Sequence, residues 1–156
     1  MGGDTSAQIF ARDLSAGALF KGVSRRVDMA MFRDFAALTG DKHPIHYDAE
    51  YARQTDFGAC VAHGLLLVSL AALGASDLSG QLRDSMVALV AQESRFIEPV
   101  FPDDHIQITY EVISTGPPDR RGRSRVTFGI DMRNQHDRTV FTGSHQYLLK
   151  WESESA

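Results

Sequence analysis

Between Val61 and Ala75 the chain runs almost without polar interruption. Leu65, Leu66, Leu67, Val68, Leu70, Ala71, Ala72 and Leu73 fall on nearly every side of a helix spanning Gly64 to Leu78. A helix that is apolar all round is a buried one. This one is too short and too interrupted to span a bilayer, so the rest of the chain must wrap it. The second half supplies the wrapping. Met86 to Ala91, Ile106 to Ile113, Ser124 to Met132 and Thr139 to Trp151 are rich in Val, Ile, Phe, Thr and Tyr and read as strands. Gly116-Pro117-Pro118-Asp119 and Asn134-Gln135-His136-Asp137 are the turns between them. Helices first and an antiparallel meander second predict an α+β fold, one central helix wrapped by a curved antiparallel sheet.

At 156 residues the chain is long enough for one domain with a real core. We expect a lead-in over 1–19, a single domain over 20–151 and a tail over 152–156. The net charge of -4 gives no reason to expect a nucleic-acid partner, since such proteins carry a basic face. The single cysteine, Cys60, excludes an internal disulfide. No signal pattern opens the chain, and a cytoplasmic location is expected. Met1 to Ser6 formally satisfies a myristoylation pattern, but the pattern is short and common.

The first half carries the chemistry. Phe20 to Val27 gives a weak strand reading. Met29 to Leu38 has helical spacing, with Asp28 as N-cap and Gly40 as the terminating glycine. Gly40-Asp41-Lys42-His43-Pro44-Ile45-His46 follows, with a carboxylate and an imidazole on opposite sides of a proline. Proline fixes its own φ and keeps His43 out of the helical region. The loop is thereby shaped so that both side chains can converge on one small molecule. Asp48 can cap a short helix through Gln54. At Ala62-His63-Gly64-Leu65-Leu66 a new helix begins, with the Gly64 N–H free for an anion. A carboxylate, an imidazole and a helix-end N–H are the parts needed to add or remove water next to a carbonyl.

Phe35-Ala36-Ala37-Leu38-Thr39-Gly40-Asp41, then Pro44-Ile45-His46 and Ala52, resembles the hydratase-2 motif of MaoC-like (R)-specific enoyl-CoA hydratases. His63-Gly64-Leu65-Leu66 resembles that family's start of the central helix. Phe96 with Pro99-Val100-Phe101-Pro102 resembles its segment before the next strand. The likeness runs roughly from Phe20 to Lys150. It implies the hot-dog fold, a homodimer or dimer of dimers, and an acyl-CoA substrate. Two positions depart from the family: His43 stands where asparagine is usual, and Asp103 where glycine is usual.

On this resemblance Asp41, His46 and Gly64 are the expected catalytic residues. Asp41 and His46 hold the water, and the Gly64 N–H stabilises the thioester oxygen. His43, His63, Leu65 and Ser69 are expected around the substrate, and the two histidines and the serine each have a plainer alternative. His43 either touches substrate or bonds the loop backbone in asparagine's place. His63 either lines the pocket or is a structural histidine, and the second is favoured. Ser69 either faces the acyl chain or bonds back to its own helix. Arg120, Arg121, Arg123 and Arg125 either receive phosphates or form a solvated hairpin, and Arg95 is equally open. No ligand spacing suggests a metal. No cofactor is expected beyond the coenzyme A of the substrate. Rival functions are a hot-dog acyl-CoA thioesterase and a non-catalytic acyl-CoA-binding subunit.

Overall fold

The structure is a computed structural model that describes residues 7–152. The myristoylation-like stretch Met1 to Ser6 lies outside these residues, as does 153–156. Four long strands, β3 (Met86–Phe96), β4 (His105–Thr115), β5 (Arg123–Arg133) and β6 (Thr139–Lys150), form an antiparallel sheet. Two short strands, β1 (Leu19–Lys21) and β2 (Arg25–Arg26), both pair with β4. The order across the sheet is β1-β4-β5-β6-β3, which leaves β3 at one edge. Alternation along β4, β5 and β6 sends Ile108, Val112, Val126, Phe128, Ile130, Tyr147 and Leu149 inward. There they meet Leu66, Leu67, Ala71 and Leu73 of the central segment.

The expected strand over Phe20 to Val27 is interrupted at Gly22, whose N–H donates to the Ile108 carbonyl at 2.8 Å. A Cβ there would stand 2.9 Å from the Tyr110 ring, so the close approach of this backbone to β4 needs glycine. The lead-in is tied down from residue 9 onward. Ala11 and Leu14 are core residues, and Ile9 N–H donates to the Gln81 carbonyl at 2.8 Å.

Helix α1 (Met29–Thr39) begins as its sequence implies. Asp28 accepts from the Met31 N–H at 3.0 Å, and Gly40 ends the helix at φ 78°. Helix α2 (Ala49–Arg53) is capped by Asp48, which accepts from the N–H groups of Glu50 and Tyr51.

The central helix is shorter than the apolar run. Helix α3 spans Gly64–Leu70; a 3-10 turn over Leu73–Ala75 and a short helix α4 (Leu78–Gln81) follow. The helical ladder yields here to side-chain hydroxyls from the sheet. Tyr110 Oη donates to the Ala71 carbonyl at 3.1 Å, and Leu73 N–H donates to Tyr147 Oη at 3.2 Å. Ser76 Oγ takes the Leu73 carbonyl at 2.6 Å. These bonds replace ones the helix gives up, which makes the break tolerable. Burial is also not all round: Leu65 and Ser69 lie on the exposed face of α3. No helix among the described residues is long and apolar enough to cross a membrane.

Because the Asp28 cap sets where α1 begins, and α1 delivers the Asp41 loop, Asp28→Ala is expected to cost about 1 kcal/mol of stability. Urea unfolding monitored by circular dichroism measures this.

Candidate active site

The loop after α1 is closed on itself by its own hydrogen bonds. Asp41 N–H donates to Thr39 Oγ1 at 3.2 Å, and Asp41 Oδ1 accepts from the His43 N–H at 3.2 Å. His43 Nδ1 accepts from the Ile45 N–H at 3.3 Å, so this histidine bonds the loop backbone in the way an asparagine would. Pro44 opens the 3-10 turn Pro44–His46 that swings His46 back toward Asp41. Tyr47 completes the closure by donating to the Asp41 carbonyl at 3.0 Å. Sequence reasoning passed over Tyr47, although it sits immediately after the histidine of the motif.

His46 has a defined tautomer. Its Nδ1 lies 2.7 Å from the Val61 carbonyl, which can only accept, so Nδ1 carries the proton. In the neutral ring, that leaves Nε2 with a lone pair. Asp41, His46 and His63 each present an atom within 4.8 Å of the others. The His46 and His63 rings stack with centroids 3.7 Å apart and planes 26° from parallel. Phe35 lies against His63 at 4.9 Å and Phe32 meets it edge-on at 6.2 Å. His63 is only 2% exposed, and among the described residues neither of its ring nitrogens has a hydrogen-bond partner. Burial first, and the neighbouring His46 second, lower its pKa, while the charge and nearby backbone of Asp41 oppose this.

A carboxylate and two imidazoles are also a possible cation set. Their spread of up to 4.8 Å exceeds the roughly 3.4 Å between ligands on a tetrahedral zinc. The side-by-side rings would have to rearrange to hold one.

Gly64 is the first residue of α3. The N–H groups of Leu66 and Leu67 bond back to the His63 carbonyl, and the Gly64 N–H precedes them in the turn that has no intrahelical acceptor. Gly64 borders a cavity of about 460 Å³ whose other walls include Phe57, Val61, Leu67, Phe96 and Ile97. The Phe96 ring lies directly on the glycine; a Cβ there would stand 2.9 Å from Phe96 Cζ. Val61 joins this cavity to the imidazole, since its side contributes to the wall and its carbonyl holds His46.

The structure therefore brings Asp41, His46, His63 and Gly64 together. It does not bring Leu65 or Ser69 to the cavity. Leu65 is 65% exposed, and Ser69 Oγ donates to the Leu65 carbonyl at 2.8 Å. The arginine run sits on the β4–β5 hairpin, where Arg123 pairs with Lys150 across strands. Phe141, the cross-strand partner of Phe96, is nine residues back along β6, about 30 Å away. Arg123 makes two bonds to Asp119 and, with backbone N–H groups of the hairpin, pulls that carboxyl down to about 2. Arg95 faces Glu93 at 3.5 Å on the exposed side of β3.

Residues 15–131 match the family model described as MaoC like domain. The chain belongs to the MaoC-like dehydratase family. This MaoC-like protein is 30% identical over 122 residues to the 3-hydroxybutyryl-CoA dehydratase of Methylorubrum extorquens, covering 78% of the chain and 75% of that relative. It is 35% identical over 91 residues to the (R)-specific enoyl-CoA hydratase of Aeromonas caviae, covering 58% of the chain and 65% of the relative. The solved (R)-hydratase of A. caviae superimposes with a TM-score of 0.71 at 28% identity, covering 90% of this chain and 99% of that one. A solved monoamine oxidase regulatory protein from Archaeoglobus fulgius gives a TM-score of 0.87 at 30% identity, covering 95% and 98%. The fold is the hot-dog fold, and the chain is a hydro-lyase of this family.

Two buried imidazoles bear on how this MaoC-like fold responds to acid. Burial lowers the pKa of His145, in β6, as it does that of His63. The unfolded chain takes up these protons near pH 6.5, before the folded protein does. Stability is therefore expected to fall as pH drops through 6.5 toward the lowered folded values. Denaturant midpoints at pH 7.5 and 5.5 measure the slope, and His145→Phe is expected to reduce it.

Proposed function

We propose that this protein adds water to a trans-2-enoyl-CoA to give an (R)-3-hydroxyacyl-CoA, or catalyses the reverse dehydration. The observation that carries this reading is the meeting of the Asp41 carboxylate with the His46 imidazole, which Val61 ties to the apolar cavity bordered by Gly64. Both groups accept hydrogen bonds, so a water between them has both of its hydrogens engaged and its oxygen turned outward. As the oxygen attacks C3, a proton passes to the pair, and the thioester oxygen gains enolate charge. In this reading the Gly64 N–H, at the start of α3, stabilises that charge. The missing Cβ lets the Phe96 ring close over this backbone and form one wall of the cavity. The pair then returns the proton to C2. Coenzyme A enters as part of the substrate, and no separate cofactor is assigned. A cytoplasmic location accords with the lone reduced cysteine, Cys60.

Loss of enoyl-thioester absorbance from crotonyl-CoA tests the reaction. Asp41→Asn and His46→Ala are each expected to lower kcat/KM by roughly 10²- to 10⁴-fold with the fold intact. Near-native activity in either variant refutes the site assignment. Inactivity of the wild type would move the search to branched and dicarboxylic enoyl-CoAs, and release of free thiol would identify a thioesterase instead.

We further infer a homodimer. Edge strand β3 exposes Val87, Leu89 and Val90, and Phe96 and Ile97 follow at its end. An apolar open edge invites pairing, and a two-fold related copy offers the same edge. Because Phe96 covers Gly64, the two sites would lie near the subunit boundary. Sedimentation is expected to show a dimer, and Leu89→Lys combined with Val90→Lys to shift it toward monomer.

A further inference from the structure

A water between Asp41 and His46 still lacks one constraint. Its two hydrogens point to two acceptors, so it can swivel about the line joining them and present either lone pair to C3. The residue that can stop this is already in place. His63 reaches within 4.8 Å of both partners, stacks on His46, and is held from behind by Phe35. Atoms with this spread can all reach one oxygen at hydrogen-bonding distance, roughly 2.8 Å. The imidazole is buried with both nitrogens unpartnered among the described residues, an arrangement costly enough to need an explanation.

We infer that His63 is the third group holding the reacting water, donating a ring N–H to its oxygen. This rests on the hydration reading above. A neutral imidazole has one N–H to give, and the lowered pKa of His63 keeps it neutral. The oxygen then has four directions assigned: hydrogens to Asp41 and His46, one lone pair to His63, and the remaining lone pair to C3. During attack the C3–O bond forms while the O–H bond to the accepting partner breaks. The His63 N–H stays on its nitrogen throughout. In the dehydration direction the same N–H would hold the departing hydroxyl. His63 so fixes which face of the water meets the substrate, a role that neither Asp41 nor His46 can perform.

His63→Phe keeps an aromatic ring in the stack and removes the donor; His63→Gln keeps a donor without the ring. On crotonyl-CoA, His63→Phe is expected to lower kcat at least 10-fold with KM within about 2-fold, and His63→Gln to recover part of the loss. A folded His63→Phe enzyme with wild-type kcat overturns the inference, as does a His63→Gln enzyme no better than a folded His63→Phe. A high-resolution crystal structure of the substrate-free wild type tests the geometry without reference to turnover. One ordered water within hydrogen-bonding distance of Asp41, His46 and His63 supports it. A dry site overturns it, and so does a cation bound directly by these side chains. If the water is present but no enoyl-CoA is turned over, the hydration reading fails while the three-point water site stands.

Discussion

Three hydrogen bonds at Val61 and Ala62 hold the working parts of this protein in one place. Val61 N–H donates to the Ile45 carbonyl at 3.3 Å, the Val61 carbonyl accepts from His46 Nδ1 at 2.7 Å, and Ala62 N–H donates to the Val100 carbonyl at 2.8 Å. The first two bind the Asp41 loop to the segment that starts α3. The third binds that segment to the chain between β3 and β4. Without this ladder the loop and the helix start would be two separate surface features. With it, the His46 tautomer, the His63 stack and the Gly64 N–H are set by one local arrangement. A carbonyl that orients an imidazole through its far nitrogen leaves the near nitrogen basic, which is what a water-activating group needs.

The sheet has a second task besides wrapping the helix: it cuts it. Tyr110 and Tyr147 rise from β4 and β6 and satisfy backbone groups at Ala71 and Leu73, where the helix would otherwise continue. Burial raises both phenols, Tyr110 to about 12, so they remain protonated. The site lies at the uncut end, where α3 begins and Phe96 covers Gly64. The exposed apolar edge of β3 runs up to the same end, which links the site to the surface most suited to a second subunit.

Much of this was legible in the sequence because the determining interactions are local. The Asp28 cap, the left-handed Gly40 and the Asp48 cap each depend on a few neighbouring residues, and all three appear as expected. The alternation of β4, β5 and β6 likewise specifies its own strands and inward faces. The Asp41–His46 loop was visible because glycine and proline leave recognisable punctuation around it. His43 was open between two roles, and the local geometry placed it on the Ile45 N–H. Leu65 and Ser69 were expected near substrate from their place on the helix that Gly64 starts, but the helical turn carries both to the exposed face.

What the sequence determined by itself was therefore the class of fold, the strand faces, the caps and the bounds of the loop that carries Asp41 and His46. These follow from periodicity and from turn chemistry within a few residues. Only the tertiary structure decided the length of the central helix, the Val61 partner of His46, the seat of Phe96 on Gly64 and the burial of His63 against His46. Each of these joins residues that are far apart in the chain or on different elements. A propensity or a motif describes what a segment favours alone, whereas these contacts exist only after the sheet has closed over the helix.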